Sequence, residues 1–352
     1  MEQTIKRLAW VDYAKGLGII GVFVLHSNAP DVLLHVIDMF CMPLFFLLSG
    51  FVFSIRKYDS FLPFLWNKLR TLVFPGIFFG VIQSAVRYFT CVIVYDIRPT
   101  QTYTDWLISF AINARGTWLG EIPWFLACLF VIEIVGYALL RLSEHIRISD
   151  WQMVVLAIAC ILVGYGYSKL IHIFLPWSMD IALPMFAPFI LGYVLRRHYR
   201  TLERIAQPLT VIPAMLLLIA AALLNTPRQP VVVYQNQYGN IVCWLVGMTA
   251  GIWAIIALCI AFQQFPANNP FMSALTYFGR NTLVFYCVNV SIYPDWIPLV
   301  IRKIGLEPGG GSLINQLLCV MGAVTISMIA CSIASEIMNR YFPAILGRKP
   351  VK

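Results

Sequence analysis

The feature that most restricts the fold of this 352-residue chain is a series of apolar stretches that recur from one end to the other. Each is about 20 residues long, which as an α-helix matches the hydrocarbon thickness of a bilayer. Inside a bilayer the backbone can satisfy its hydrogen bonds only in helices or closed barrels. We therefore expect an all-α, polytopic membrane helix bundle. Ten candidate transmembrane helices cover residues 8–28, 36–55, 71–95, 118–140, 151–168, 171–195, 208–225, 241–262, 276–299 and 313–337.

The composition excludes an ordinary soluble domain. Apolar residues make up 60% of the chain and charged residues only 12%, against about 25% charged in typical soluble proteins. The connections between the candidate helices are short. We expect residues 1–352 to form one integral-membrane domain with no appended soluble domain.

The distribution of basic residues predicts the orientation. With the N-terminus inside, 18 of the 25 Lys and Arg residues fall on the cytoplasmic side, as the positive-inside rule requires. Ten spans then place both termini in the cytoplasm. The net charge of +9 is explained by orientation and attraction to lipid headgroups, so nucleic acid is not an expected partner.

The nine cysteines give no sign of a metal site or a disulfide framework. They lie singly in apolar stretches, and none belongs to a Cys-x-x-Cys pair. Isolated cysteines in such surroundings are typical of small buried side chains. We expect no bound metal.

Three ionisable residues lie on one face of the first candidate helix. Lys15 and His26 are 11 positions apart, which is about three turns and about 16 Å, and Asp12 lies one turn before Lys15. Ionisable groups inside a bilayer are costly and usually functional. A simpler interpretation is that Asp12 and Lys15 neutralise each other at the cytoplasmic interface, with Lys15 snorkelling and His26 at the other interface.

The second candidate helix contains features that alter helix packing. Pro43 leaves one backbone carbonyl without its helical donor, and Ser49-Gly50 would let another helix approach closely. The pattern around Ser49 is not the Gly-x-Ser-x-Gly elbow of serine hydrolases.

Together these motifs resemble the acyltransferase-3 family of integral membrane acyltransferases, and in particular its fucose 4-O-acetylase-like branch. In order along the chain, the matching residues are Asp12, Lys15 and His26; Phe45-Phe46-x-x-Ser49-Gly50; Lys68-Leu69-Arg70 with Pro75; Trp124-Phe125-Leu126; and Phe278-Gly279-Arg280-Asn281-Thr282-Leu283 followed by Tyr286. Two positions depart from the family pattern. Lys15 stands where arginine is more common, which keeps the charge but loses the bidentate fork, and Asn289 stands where a histidine is usual.

The resemblance implies acyl transfer across a bacterial inner (cytoplasmic) membrane. The donor would be cytoplasmic acetyl-CoA, a substrate and not a bound cofactor. The acceptor would be a sugar hydroxyl of a cell-surface polysaccharide or of its lipid-linked precursor.

The resemblance also implies roles for individual residues. His26 would be the general base or the acyl carrier, and the sequence leaves both open. Lys15, Lys68 and Arg70 would attract the CoA phosphates, although positive-inside anchoring would also explain Lys68 and Arg70. Asp12 is expected to pair with Lys15, and both are assigned to the catalytic set together with His26.

Other polar or aromatic residues of the spans are candidates for contact with substrate. A charged group in a span should face the bundle interior and find a partner, and Glu133 with Arg87 is the expected pair. The residues assigned to substrate binding are Ser49, Trp124, Glu133, Arg87, Asp38 and Asp180. Further candidates for an outward-facing acceptor pocket are His172, His35, Arg115, Trp118 and Glu121, with interfacial placement as the alternative for each.

Two other classes of membrane protein fit part of the pattern. A transporter or flippase for a lipid-linked sugar would also have intramembrane charges and broken helices, but the two halves of the chain show no matching pair of Gly/Pro-broken segments. A purely structural subunit would leave the charged face of the first helix unexplained. Within the family, succinyl or another acyl group is an alternative to acetyl.

Overall fold

The apolar stretches form helices throughout the part of the chain that the computed structural model describes, which is residues 8–97, 100–117, 121–225, 230–266, 268–306 and 312–348, with side chains outside 291–295. The α-helices are α1 (Ala9–Leu25), α2 (Asp31–Asp38), α3 (Cys41–Val52), α4 (Phe61–Lys68), α5 (Phe74–Phe89), α6 (Tyr103–Ala111), α7 (Trp124–Ile146), α8 (Asp150–Leu170), α9 (Met179–Arg197), α10 (Tyr199–Ile205), α11 (Val211–Leu224), α12 (Ile241–Ala261), α13 (Pro270–Arg280), α14 (Thr282–Lys303) and α15 (Leu313–Tyr341).

Shorter elements join or extend these helices. Two π-helical segments, Leu69–Val73 and Thr90–Val94, flank α5, and short 3₁₀ turns cover Pro176–Ser178, Pro208–Thr210, Val233–Gln235 and Phe262–Gln264. The strands β1 (Val231–Val232) and β2 (Gln237–Tyr238) pair antiparallel, with Val231 opposite Tyr238.

Seven described helical segments are long and apolar enough to cross a membrane, and the pair formed by α10 and α11, bent by 71°, would make an eighth. The seven are Asp31–Val52, Phe61–Val94, Trp124–Ile146, Asp150–Leu170, Pro176–Arg197, Ile241–Gln264 and Leu313–Tyr341. An all-α polytopic architecture is thus confirmed, whereas ten spans and cytoplasmic termini stay predictions.

Of the two remaining candidate spans, one is a short helix and the other is interrupted. The first is α1, whose 17 residues extend about 26 Å, slightly less than the hydrocarbon core. The other, predicted over 276–299, is interrupted where α13 ends at Arg280 and α14 begins at Thr282.

Glycines allow two helix pairs to pack backbone to backbone. A Cβ atom on Gly50 of α3 would lie 1.9 Å from the carbonyl oxygen of Phe189 in α9, and one on Gly192 would lie 2.0 Å from that of Leu47. A Cβ on Gly279 of α13 would lie 1.9 Å from the carbonyl oxygen of Asp12 in α1. The close approach predicted at Ser49-Gly50 is therefore present.

Helix α1 lies inside the bundle. It packs against α3, α12, α13 and α14, and Trp10, Ala14, Ile19 and Phe23 are almost completely buried. A helix surrounded by others can present a polar face only to a partner side chain or a cavity. The charged face of α1 therefore indicates where to look for a site.

Candidate active site

Two cavities follow one another along the charged face of α1. Lys15, Ile19, Val22 and His26 are spaced i, i+4, i+7 and i+11, so they form one stripe on a helix. Lys15 and Ile19 line the first cavity, His26 lines the second, and Val22 lines both. The predicted stripe thus faces space that a substrate can occupy.

The cavity at His26, which we call the His26 chamber, has a volume of about 500 Å³. Residues from six helices, the loop before α7 and the β1–β2 hairpin surround it. They are Val22, Leu25, His26, Leu34, Asp38, Met42, Gln83, Arg87, Gly116, Thr117, Glu121, Pro123, Trp124, Val232, Val233, Tyr234, Tyr286 and Val290. Several polar groups therefore converge with one aromatic indole on a largely apolar wall, as in many small-molecule sites.

The cavity at Lys15, the Lys15 chamber, is smaller, at about 160 Å³. Lys15, Ser49 and Thr282 supply its polar groups, and the remaining lining is aliphatic or aromatic. Such a space suits a narrow, mostly apolar chain that runs past the ammonium group of Lys15.

Tyr286 of α14 stands between the two chambers and lines both of them. Its hydroxyl accepts a hydrogen bond of 3.4 Å from the backbone N–H of Phe125, in the first turn of α7, where helical N–H groups lack intrahelical acceptors. The Phe125 ring lies 5.6 Å from the Tyr286 ring and 4.9 Å from Phe46. Phe45, Phe46, Phe125 and Tyr286 thus form an aromatic cluster at the place where the two chambers share lining residues.

A loop carboxylate, Glu121, completes the polar lining of the His26 chamber. The Tyr234 hydroxyl donates a hydrogen bond to Glu121 and accepts one of 2.8 Å from the Gly116 N–H. Burial raises the pKa of Glu121 to about 7, against the opposing effects of the Tyr234 hydroxyl, the Gly116 N–H and the guanidinium groups of Arg115 and Arg87. This carboxyl can therefore gain or lose a proton near neutral pH.

A third cavity opens beside the start of α1, where Asp12 faces α13. We call it the Arg280 cleft; its volume is about 490 Å³. The Arg280 Nε lies 3.4 Å from Asp12 Oδ2. The cleft is lined by Ala9, Asp12, Tyr13, Ser273, Thr276, Tyr277, Arg280 and Asn281.

The expected ion pair between Arg87 and Glu133 is wrong. Glu133 lies 2.9 Å from the Lys68 Nζ, and both side chains are buried. Lys68 also lies within 5.4 Å of the Phe53 ring centroid. Arg87 instead lines the His26 chamber. The prediction failed because two neighbouring spans can be shifted along their axes. Their order in the sequence therefore does not determine which of their turns face each other.

This pairing also changes the expected roles of Lys68 and Glu133. Glu133 is engaged by a cation and lines neither chamber, so the structure does not place it with the substrate-binding candidates. Lys68 is only 15% exposed, and its charge is compensated. Arg70, two residues further on, lies in the π-helical segment before α5.

Asp180 likewise belongs to a buried ion pair outside the two chambers. Its Oδ2 lies 2.5 Å from Arg115 Nη2, and both side chains are completely buried. Its Oδ1 accepts a hydrogen bond from the Leu175 N–H. Asp180 and Arg115 thus connect the loop before α7 to the start of α9, and neither is placed to contact a substrate in the His26 chamber.

The other predicted residues divide between the cavities and the remainder of the bundle. Asp38 and Trp124 line the His26 chamber, and Ser49 lines the Lys15 chamber. His172 borders a separate cavity of about 290 Å³, which Gly116 and Tyr234 also line. His35 is half-buried on α2 and lines none of these cavities, and Trp118 lies outside the described residues.

Asn289, at the position where a histidine was expected, is only 1% exposed. Within the described part of the chain, its amide oxygen and nitrogen have no hydrogen-bond partner. It lies one turn after Tyr286 on α14.

Two residues of the His26 chamber escaped the sequence analysis. Gln83 lies one turn before Arg87 on the same face of α5, so the polar i, i+4 pair in an apolar helix was a usable signal. Tyr234 lies in the turn between β1 and β2 and had no such signal, because the hairpin brings it to Glu121 from more than 100 positions away.

The arrangement can support proton transfer and acyl chemistry. Histidine and two carboxyl groups, Asp38 and Glu121, face one chamber, where proton transfer to or from a hydroxyl is feasible. Among the described residues, no group of three His, Cys, Asp or Glu side chains could hold a metal ion.

Comparison with protein families gives one result. The profile of the acyltransferase-3 family, described as an acyltransferase domain, matches residues 8–336. Neither the comparison with curated proteins nor that with solved structures gave a match. The family match includes all three cavities and nearly the whole chain, and the protein therefore belongs to the acyltransferase-3 family of membrane acyltransferases.

Proposed function

We propose that this protein is an O-acetyltransferase of the bacterial inner membrane, related to the fucose 4-O-acetylase-like branch. The donor is acetyl-CoA, and the acceptor is a sugar hydroxyl of a cell-surface polysaccharide or its lipid-linked precursor. One observation carries the proposal. A single helix presents Lys15 to one chamber and His26 to the next, and the two chambers share Val22, Met42 and Tyr286.

The separation of the two groups suits reactants in different compartments. CoA carries several negative charges and cannot cross a bilayer, whereas surface glycans are modified on the outer side. Lys15 and His26 are about 16 Å apart along α1. A donor entering by the Lys15 chamber can therefore present its thioester to an acceptor in the His26 chamber.

In the direct mechanism, neutral His26 removes the proton from the attacking sugar hydroxyl. The hydroxyl oxygen forms a bond to the thioester carbonyl carbon, and collapse of the tetrahedral intermediate breaks the C–S bond. The proton on the imidazole then passes to the departing CoA sulfur. The acetyl ester and free CoA are the products.

In the alternative mechanism, His26 itself attacks the thioester and carries the acetyl group before the sugar receives it. The two mechanisms differ in one observable. Labelled acetyl-CoA without acceptor would leave acetyl on the protein only in the second mechanism.

Other groups of the His26 chamber suit a sugar. The Trp124 indole offers a flat apolar face, and carboxylates such as Asp38 and Glu121 accept hydrogen bonds from hydroxyl groups. Arg87 and Gln83 add donors on the opposite helix. These groups would orient one hydroxyl toward His26.

The decisive variant is His26→Ala. We expect it to abolish O-acetylation while the polysaccharide itself is still made, because the imidazole is the proton acceptor or acyl carrier. NMR of the purified surface polysaccharide would measure acetyl groups per repeat. Membrane insertion should be checked by detergent extraction and gel filtration.

His145→Ala is the matched control, since His145 is exposed at the end of α7 and lines neither chamber. We expect normal acetylation in this variant. Retained acetylation in His26→Ala would refute the role of His26. Loss of surface polymer with accumulation of its lipid-linked precursor would favour a flippase instead.

A further inference from the structure

We propose that the Arg280 cleft, and not Lys68, binds the phosphate groups of the CoA donor. The inference rests on the proposed function and assigns a binding site for its donor. It predicts that the donor combines a phosphorylated nucleotide with a long arm that ends in the acyl thioester.

The cleft has the size and chemistry of an anion site. Its volume is about 490 Å³, and Ser273, Thr276, Tyr277 and Asn281 contribute hydroxyl and amide groups to its lining. The Arg280 side chain is 53% exposed, so part of its guanidinium can face a ligand. Arginine presents paired N–H donors that match phosphate oxygens.

Further positive charge lies next to the cleft. The Arg348 Nη2 donates to the Arg280 carbonyl oxygen at 2.9 Å, and Nη1 donates to the Asn281 Oδ1 at 3.3 Å. Gly347, the preceding residue, packs against the backbone of Arg70, where an added Cβ would lie 2.9 Å from the carbonyl oxygen. The segment after α15 thus brings a second arginine beside Arg280.

Two carboxylates oppose this positive charge. Asp12 lies 3.4 Å from Arg280, and Glu336 accepts a hydrogen bond of 2.8 Å from the Tyr277 hydroxyl. The Asp12 contact is longer than an ideal charge-assisted hydrogen bond and leaves other guanidinium nitrogens of Arg280 for a ligand. Among the residues that line the cleft, Arg280 is basic and Asp12 is acidic, and Arg348 lies beside Arg280.

Lys68 is less suited to the same task. Its ammonium lies 2.9 Å from Glu133, and both side chains are buried. A phosphate at Lys68 would have to compete with this carboxylate, and separating a buried ion pair leaves an uncompensated charge. The Arg280 guanidinium is half-exposed, so it can bind a phosphate on its open side and keep its contact with Asp12.

The position of the cleft fits the rest of a CoA molecule. Asn281 lines the cleft, and the next residue, Thr282, lines the Lys15 chamber. From Lys15, the same face of α1 continues through Ile19 and Val22 to His26 in the next chamber. A nucleotide in the cleft would thus send its pantetheine arm through the narrow Lys15 chamber toward the acceptor.

Binding of CoA and of pantetheine to the purified full-length protein in detergent tests the proposal. Pantetheine has the arm but lacks the nucleotide and its phosphates. Isothermal titration should show that Arg280→Ala weakens CoA binding at least about tenfold, as expected for a lost charge-assisted hydrogen bond. Pantetheine affinity should stay within about twofold, because its contacts lie in the Lys15 chamber.

Arg340→Ala is the matched control, since Arg340 stacks on Tyr341 near the end of α15 and does not line the cleft. If Arg280→Ala does not fold, Arg280→Gln provides the same test with a neutral side chain of closer size. Unchanged CoA affinity in a folded Arg280 variant would overturn the site assignment alone. A wild-type protein that binds no CoA would overturn the proposed donor as well.

Discussion

At the scale of single residues, the important distinction is between ionisable groups that face a cavity and those engaged in ion pairs. His26, Asp38, Arg87 and Glu121 line one chamber, whereas Asp180 is completely buried against Arg115. Charged residues in a membrane protein are therefore candidates for function only once their partners are known. A charged residue that lines a cavity and one that belongs to a buried ion pair look the same in a sequence.

The raised pKa of Glu121 predicts that the stability of the protein depends on pH. Its pKa rises to about 7 in the folded protein, so the protonated form is favoured by folding relative to an unfolded glutamate. This stabilisation is fully present below the unfolded pKa and is lost as the pH rises through about 7. The difference is on the order of 3 kcal/mol for a shift of this size.

We expect the wild-type protein to lose thermal stability between pH 5 and pH 8, relative to Glu121→Gln. The amide is neutral throughout this range but can still accept the hydrogen bond from Tyr234. Melting curves of both proteins in one detergent at several pH values would measure the difference. Parallel curves would show that Glu121 does not titrate in this range.

At the scale of helices, some contacts follow from local sequence and others do not. The Lys15–His26 stripe was predictable because both residues belong to one helix, whose geometry is fixed. The partner of Glu133 was not, because Lys68 and Arg87 lie on the same helical segment, Phe61–Val94, and the relative height of two helices is set by tertiary packing. Tyr234 reaches Glu121 through a hairpin whose register no local pattern revealed.

The close contact between α3 and α9 predicts that a side chain added at Gly50 will destabilise the protein. Gly50→Ala would place a Cβ 1.9 Å from the Phe189 carbonyl oxygen, so the two backbones would have to separate. We expect a loss of about 1–3 kcal/mol or more, because the opposing atom belongs to the backbone and cannot rotate away. Thermal unfolding in detergent would measure it.

Gly166→Ala on α8 is the corresponding control. An added Cβ there meets nothing within 4 Å, and alanine favours a helix over glycine by about 1 kcal/mol. A stability equal to or above that of wild type is expected. If both variants melted together, the close contact at Gly50 would not be important for stability.

At the scale of the whole molecule, the family and the all-α polytopic class could be recognised from sequence, whereas the number of membrane crossings could not. Seven or eight described segments are long and apolar enough to cross a membrane, and α1, with 17 residues, is slightly shorter than the hydrocarbon core. Hydropathy also could not reveal the interruption between α13 and α14 at Asn281. That residue lines the Arg280 cleft, so the deviation from a regular span coincides with a candidate site.

The orientation can be tested with reporter fusions. If both termini are cytoplasmic, a green fluorescent protein after Lys352 will fluoresce and an alkaline phosphatase there will be inactive. A phosphatase fused after Arg228, in a predicted external loop, should be active, because this enzyme folds only outside the cytoplasm. Phosphatase activity at the C-terminus would require an odd number of crossings with the N-terminus inside.

The aromatic cluster between the chambers has a consequence for the cell as a whole. Cavities that approach each other from opposite ends of a membrane protein would, if joined by water, let protons and ions run down their gradients. Phe46, Phe125 and Tyr286 pack with ring centroids 4.9 Å and 5.6 Å apart, and a hydrated ion cannot shed its water cheaply beside such rings. An acetyl thioester is uncharged and has no such hydration shell. Under the proposed function, the cluster would therefore exclude ions while the acetyl group of the donor reaches the His26 chamber.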